Sequence, residues 1–145
     1  MRYSVLALTL CTLLFGLAAA QGTASHTVTI SIPVVLRLSL EGGQTKAVPL
    51  QVEVANHSYR ITPRDTVLKV FANSDWRLLV SYQGDPLALT WQLGDRSGRL
   101  RSYPQVLTGG EATRGWRPLT VSYALAQLPA DGRYQGLVIY TLTRP

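Results

Sequence analysis

The feature that most constrains this chain is a run of strict alternation near its start. Val28, Ile30, Ile32, Val34, Leu36, Leu38 and Leu40 are apolar, and Thr27, Thr29, Ser31, Arg37 and Ser39 lie between them. Every second side chain of a strand faces the same way, so Thr27 to Leu40 offers one continuous apolar face when extended. A single strand of that length would run to roughly 45–50 Å, longer than a domain of this mass. Pro33 answers the difficulty. Proline has no N–H to give to a ladder, so the segment is expected to divide into two strands, or to form an edge strand that changes sheets at a bulge. Glu41-Gly42-Gly43 then turns the chain.

The same period recurs downstream. Strands are predicted over Ala47 to Val54, with Val48, Leu50, Val52 and Val54 inward, and over Thr66 to Ala72. Trp76 to Tyr82 follows, with Trp76, Leu78, Val80 and Tyr82 on one face, then Leu87 to Leu93. Leu119 to Leu125 comes after a Gly- and Arg-rich stretch, and Tyr134 to Thr143 ends the chain with Tyr134, Val138, Tyr140 and Leu142 on one side. Leu119 to Gln127 contains good helix formers, but its alternation through Val121 and Tyr123 favours a strand. Asn73-Ser74-Asp75, Gly84-Asp85-Pro86, Gly94-Asp95 and Pro129-Ala130-Asp131-Gly132 supply the turns. About seven to nine short strands predict an all-β fold, an antiparallel two-sheet β-sandwich in preference to a barrel.

The domain is expected to be smaller than the full 145 residues. Arg2, the apolar run Val5 to Leu17 and Ala18-Ala19-Ala20 form the pattern of a cleavable signal peptide over 1–20. The run is too short for the roughly 20 residues that span a bilayer, and no later run is longer, so no transmembrane helix is expected after cleavage. One domain is then expected over 21–145, in a protein that is secreted, periplasmic or on the cell surface. Cys11, the single cysteine, leaves with the peptide; it follows Leu10, where a lipid attachment site wants a small residue. With no disulfide, stability must come from burial, and a domain of this size buries roughly two thirds of its unfolded surface.

Catalytic chemistry has little to work with. His26 and His57 are the two histidines, and neither stands in H-x-H or H-E-x-x-H spacing. No G-x-S-x-G elbow surrounds any serine. Most of the eight acidic residues fall in turns, where Asp bonds its own backbone, so a glycosidase carboxylate pair is not expected. Asp85, Asp95 and Asp131 neighbour glycines but form no calcium-loop array. The expectation is no enzyme, no catalytic residue, no metal and no cofactor.

Charge is more informative. Removing Arg2 from a formal +6 leaves about +5, of which +3 lies between Gly94 and Arg117: Arg96, Arg99, Arg101, Arg114 and Arg117 against Asp95 and Glu111. Trp91, Tyr103 and Trp116 border or interrupt this stretch. Trp76 and Trp91 share parity with apolar neighbours and are expected in the core. Trp116, between Gly115 and Arg117, is expected on a loop. Arg96, Arg99, Arg101, Arg114, Trp116 and Arg117 are therefore a candidate surface for an anionic polysaccharide or envelope polymer, with nucleic acid not the expected partner. The plainer reading is a solvated loop. Asn56-His57-Ser58 matches a glycosylation acceptor, a triplet too short to decide anything.

Two segments carry a resemblance. Leu68-Lys69-Val70-Phe71-Ala72-Asn73-Ser74-Asp75-Trp76-Arg77-Leu78 resembles the strand, Asn turn and Trp strand of small bacterial secreted immunoglobulin-like sandwiches. The run from Pro129 to Thr143, with Gly132-Arg133-Tyr134 leading into an alternating strand, resembles the last strand of spore-coat-U-like and other fimbrial subunits. The resemblance covers about 30 to 40 residues, and the chain departs from it in having no cysteine after position 20 and in ending Arg144-Pro145. It implies an immunoglobulin-like fold and an exported subunit that polymerises when one copy's N-terminal strand completes the sandwich of the next. Val28, Ile30, Ile32 and Val34 sit where that donor strand would, and the implied partners are further copies or other surface subunits. The rival for these residues is an ordinary first strand paired within its own chain; the rival function is a monomeric secreted module using the Arg-rich 94–117 region.

Overall fold

The computed structural model describes residues 25–41 and 46–145. The signal-peptide reading, Cys11 and the turn at Gly42-Gly43 fall outside them. The chain divides into two units, Met1–Ile32 and Pro33–Pro145. Of the first, residues 25–32 are described and have no regular secondary structure.

The second unit carries ten strands: β1 (Leu36–Leu40), β2 (Ala47–Ala55), β3 (Ser58–Thr62), β4 (Asp65–Ala72), β5 (Trp76–Gly84), β6 (Leu89–Leu93), β7 (Arg96–Arg99), β8 (Gln105–Gly110), β9 (Arg117–Leu125) and β10 (Gly132–Thr143). They form two five-stranded sheets, ordered β1-β4-β9-β6-β7 and β3-β2-β10-β5-β8. Every pairing is antiparallel. The architecture is a β-sandwich, as alternation predicts.

The inner faces are those the period-2 pattern assigns. Val48, Leu50, Val52 and Val54 of β2 are buried, as are Trp76, Leu78, Val80 and Tyr82 of β5. Leu68, Val70, Leu119 and Val121 meet them from the first sheet, with Leu89 and Trp91 beside them. Fully burying such an aliphatic side chain stabilises by roughly 1.5–3 kcal/mol, against about 1 kcal/mol for a typical hydrogen bond, so apolar packing dominates. One polar cluster interrupts this core. The Tyr123 hydroxyl donates to Thr66 Oγ1 at 2.8 Å and is hydrogen-bonded to the Tyr140 hydroxyl, tying β4 and β9 of one sheet to β10 of the other. Burial pushes both tyrosine pKa values up, Tyr140 further because Tyr123 lies against it.

Two departures from expectation have physical causes. The first predicted strand begins only at Leu36, and residues 25–35 join no ladder among the described residues. Alternation supplies a face, but a strand also needs a neighbour to take its backbone groups. The count is ten, not seven to nine, because β3, β7 and β8 carry little alternation. They are three of the four sheet edges, and β1 is the fourth. β3 buries only Ile61, β8 only Leu107, and β7 no residue fully.

Turn chemistry sets the hairpins. Asn56 and His57 have φ of 52° and 62°, the signs a two-residue type I′ turn requires between β2 and β3. Gly94, with φ 60°, opens the Gly94-Asp95 link between β6 and β7. Gly136 breaks the inward series of β10 for a different reason: the Tyr82 ring occupies the space that a Cβ there would need.

Candidate functional site

The N-terminal candidate lies in the first unit through Ile32 and in the second from Pro33. Val28, Ile30 and Ile32 are 80%, 80% and 77% exposed, side chains that water solvates poorly. Val34, in the second unit, is 43% exposed. From Pro33 onward the backbone is held by Asn73, in the turn between β4 and β5. Its Nδ2 donates to Pro33 O at 2.8 Å, its Oδ1 accepts from Val35 N at 2.7 Å, and its own N–H donates to Val35 O at 3.2 Å. A side-chain amide carries both a donor and an acceptor, so Asn73 takes the role of an adjacent strand where β4 has ended.

The Arg-rich stretch is not one surface. Arg96 and Arg99 lie on β7, at one edge of the first sheet, and register places Arg99 level with Thr90 and Ala124. Arg117 is seven residues from Ala124 along β9 and two strands from β7, a separation of roughly 25 Å. The Arg101 guanidinium lies 6.0 Å from the Tyr103 ring centroid, and the Arg101 carbonyl accepts from Tyr82 N at 2.8 Å in the second sheet. Gln105, oriented to satisfy both ends of its amide, accepts from Arg101 Nε at 3.2 Å and donates to Arg99 O at 2.7 Å. The exposed Arg117 guanidinium lies 5.9 Å from the Trp76 ring centroid. Arg114 and Trp116 share the β8–β9 loop, and Trp116 is exposed, while Trp76 and Trp91 are buried as parity predicts.

A different constellation forms around Trp116. Its ring tilts 50° against Phe71 at 5.8 Å. Phe71 stands opposite Arg37, and Ser39, Lys69 and Pro118 form one row across β1, β4 and β9. These residues have the parity opposite to the core residues of the same strands, so they share the outer face. A cleft of about 410 Å³ is lined by Ser39, Lys69, Trp116 and Pro118, and another of about 560 Å³ by 111–118. Trp116 lines both. The sequence did carry a signal for it: Phe71 is apolar on the parity of Lys69, out of step with Val70 and Ala72.

Other chemistry is sparse. Among the described residues no three His, Cys, Asp or Glu come together to hold a metal ion, and no helix is long and apolar enough to cross a membrane. The ion pair recorded among them joins Arg133 Nε to Glu53 Oε1 at 3.6 Å on the exposed face of β2 and β10. Asp85 is used by the fold: its Oδ2 accepts from Gln135 N at 2.7 Å and its carbonyl accepts from the Tyr82 hydroxyl at 2.9 Å. No family model, no curated protein and no solved structure matches the chain.

Proposed function

We propose that this protein is a noncatalytic exported subunit of a cell-surface assembly, fimbria-like or coat-like, with a sandwich of immunoglobulin-like type. It assembles by adding its 27–34 segment as a strand to a sheet edge of another copy. The carrying observation is the alternating segment itself: Val28, Ile30 and Ile32 are exposed, and the segment joins no ladder among the described residues. The resemblance of 68–78 and 129–143 to secreted sandwich subunits points the same way.

Strand addition suits such a segment because main-chain bonds give affinity and alternate side chains give register. Burying each of the three aliphatic side chains gains roughly 1.5–3 kcal/mol, while ordering each residue costs roughly 1–2 kcal/mol. Over eight residues the ordering cost, roughly 8–16 kcal/mol, exceeds the roughly 4.5–9 kcal/mol from the three side chains. Ladder hydrogen bonds, about 0.5–1.5 kcal/mol each, then decide the sign, which makes a free edge the necessary partner. Sedimentation over a range of concentrations tests the reading. Concentration-dependent polymers that vanish when Thr27 to Ile32 is deleted support it; a monomer at every concentration contradicts it.

A further inference from the structure

We propose that the outer face of the first sheet around Trp116 binds an acidic polysaccharide, with a sugar ring on the indole and its carboxylate against Lys69 and Arg37. Two observations converge. Trp116 is 49% exposed yet braced against Phe71, so an aromatic face is presented at little further ordering cost. The negative π-face of an indole attracts the polarised C–H groups of a sugar ring. Beside it, register sets Lys69 next to Ser39 and Pro118, and Arg37 next to Phe71. Lys69 and Arg37 thus sit diagonally across β1 and β4, with side-chain bases roughly 7–8 Å apart.

Charge selects the ligand. Neither cation is in an ion pair with a described carboxylate. Glu41, whose N–H donates to Val67 O at 3.0 Å, lies diagonal to Lys69 on the side away from Arg37, and Glu111 lines the loop cleft that shares Trp116 and Pro118 with the cleft holding Lys69. With Lys69 and Arg37 against Glu41, the face keeps a net positive charge beside one aromatic plate and a serine hydroxyl. A bilayer surface calls for a broader apolar face, and here the apolar plate is Trp116 on Phe71, with Ser39, Lys69 and Pro118 lining the cleft beside it. The site shares Trp116 with the Arg-rich stretch but takes its cations from β1 and β4; Arg117 lies against Trp76, and Arg99 is distant.

Binding of the purified protein to immobilised polygalacturonate provides the test, with neutral dextran and phosphatidylglycerol vesicles as parallel surfaces. Retention on polygalacturonate that weakens with salt is expected, with none on dextran. Trp116→Ala is expected to weaken binding at least tenfold and Lys69→Gln about three- to tenfold. Arg60→Gln, the same charge change on β3, is expected to stay within twofold. All these side chains are exposed, and unchanged thermal midpoints confirm folding. Deleting Thr27 to Ile32 is expected to leave polygalacturonate binding intact, which separates this site from strand donation. Full retention by Trp116→Ala overturns the proposal. So does equal loss in Lys69→Gln and Arg60→Gln, no binding at all, or Trp116-dependent capture by vesicles alone.

Discussion

Asn73 holds the backbone of Val35 as a neighbouring strand would, accepting from its N–H at 2.7 Å and donating to its carbonyl at 3.2 Å. A third bond, from Asn73 Nδ2 to Pro33 O at 2.8 Å, extends the hold to the start of the second unit. β1 begins at the next residue, Leu36, and pairs with β4 as far as Leu40. Asn73 thus sets where the alternating run becomes part of the sandwich.

Asn73→Ala is expected to lower stability by about 1–2 kcal/mol, since two side-chain bonds to backbone are lost at an exposed site. Asn73→Asp keeps an acceptor for Val35 N and loses the donor to Pro33 O, so its loss is expected to be smaller. Urea denaturation measures both. Hydrogen exchange at Val35 is expected to quicken in Asn73→Ala while exchange in β10 stays unchanged.

Tyr123 sits between Thr66 and Tyr140, bonded to both. Tyr123→Phe therefore takes the Tyr123 partner from two hydroxyls, those of Thr66 and Tyr140, whereas after Tyr140→Phe the Tyr123 hydroxyl keeps its bond to Thr66. The expected losses are about 2–4 kcal/mol for Tyr123→Phe and about 1–2 kcal/mol for Tyr140→Phe. The double variant is expected to lose less than the two added together, because each partner left unpaired by one change is partly removed by the other. Chemical denaturation of the three variants checks the order.

Alkaline pH acts on the same cluster. An unfolded tyrosine ionises near pH 10, while burial raises the folded pKa of Tyr123 and Tyr140, and also of Tyr82, where Asp85 adds to the effect. Above pH 10 the unfolded chain thus binds fewer protons than the fold, and stability falls as pH rises, by up to about 1.4 kcal/mol per pH unit for each such tyrosine. Below pH 9 these groups contribute no slope. Thermal midpoints from pH 8 to 11.5 are expected to be flat and then to drop, with a shallower drop in Tyr140→Phe.

Gly136→Ala is expected to cost about 1–3 kcal/mol, because its Cβ enters the space of the Tyr82 ring. Repeating the substitution in a Tyr82→Leu background is expected to reduce that cost. A double-mutant cycle from urea denaturation gives the coupling; additive losses would place the strain elsewhere.

How far the sequence reaches is clear from particular elements. Val48 to Val54 and Trp76 to Tyr82 were legible because each packs one full face on the core, and that demand writes alternation into the chain. β7, Arg96-Ser97-Gly98-Arg99, was not: its inward Gly98 leaves the space to the indole of Trp91, so the burial signal sits on another strand. The Arg-rich stretch is compact in sequence and dispersed in space, because it passes through two edge strands and two loops. The cluster of Phe71, Lys69, Arg37 and Trp116 has the opposite character, since only antiparallel register brings three separate segments together.

Strand donation is tested most directly by titrating a Thr27 to Val34 peptide into protein lacking Thr27 to Ile32. Saturable binding of the native peptide is expected. Ile30→Asp with Ile32→Asp is expected to abolish it, because these side chains share the apolar parity, while Thr29→Asp with Ser31→Asp on the other parity is expected to bind within a few fold. Failure of the native peptide to bind, or equal binding by both altered peptides, would contradict the account.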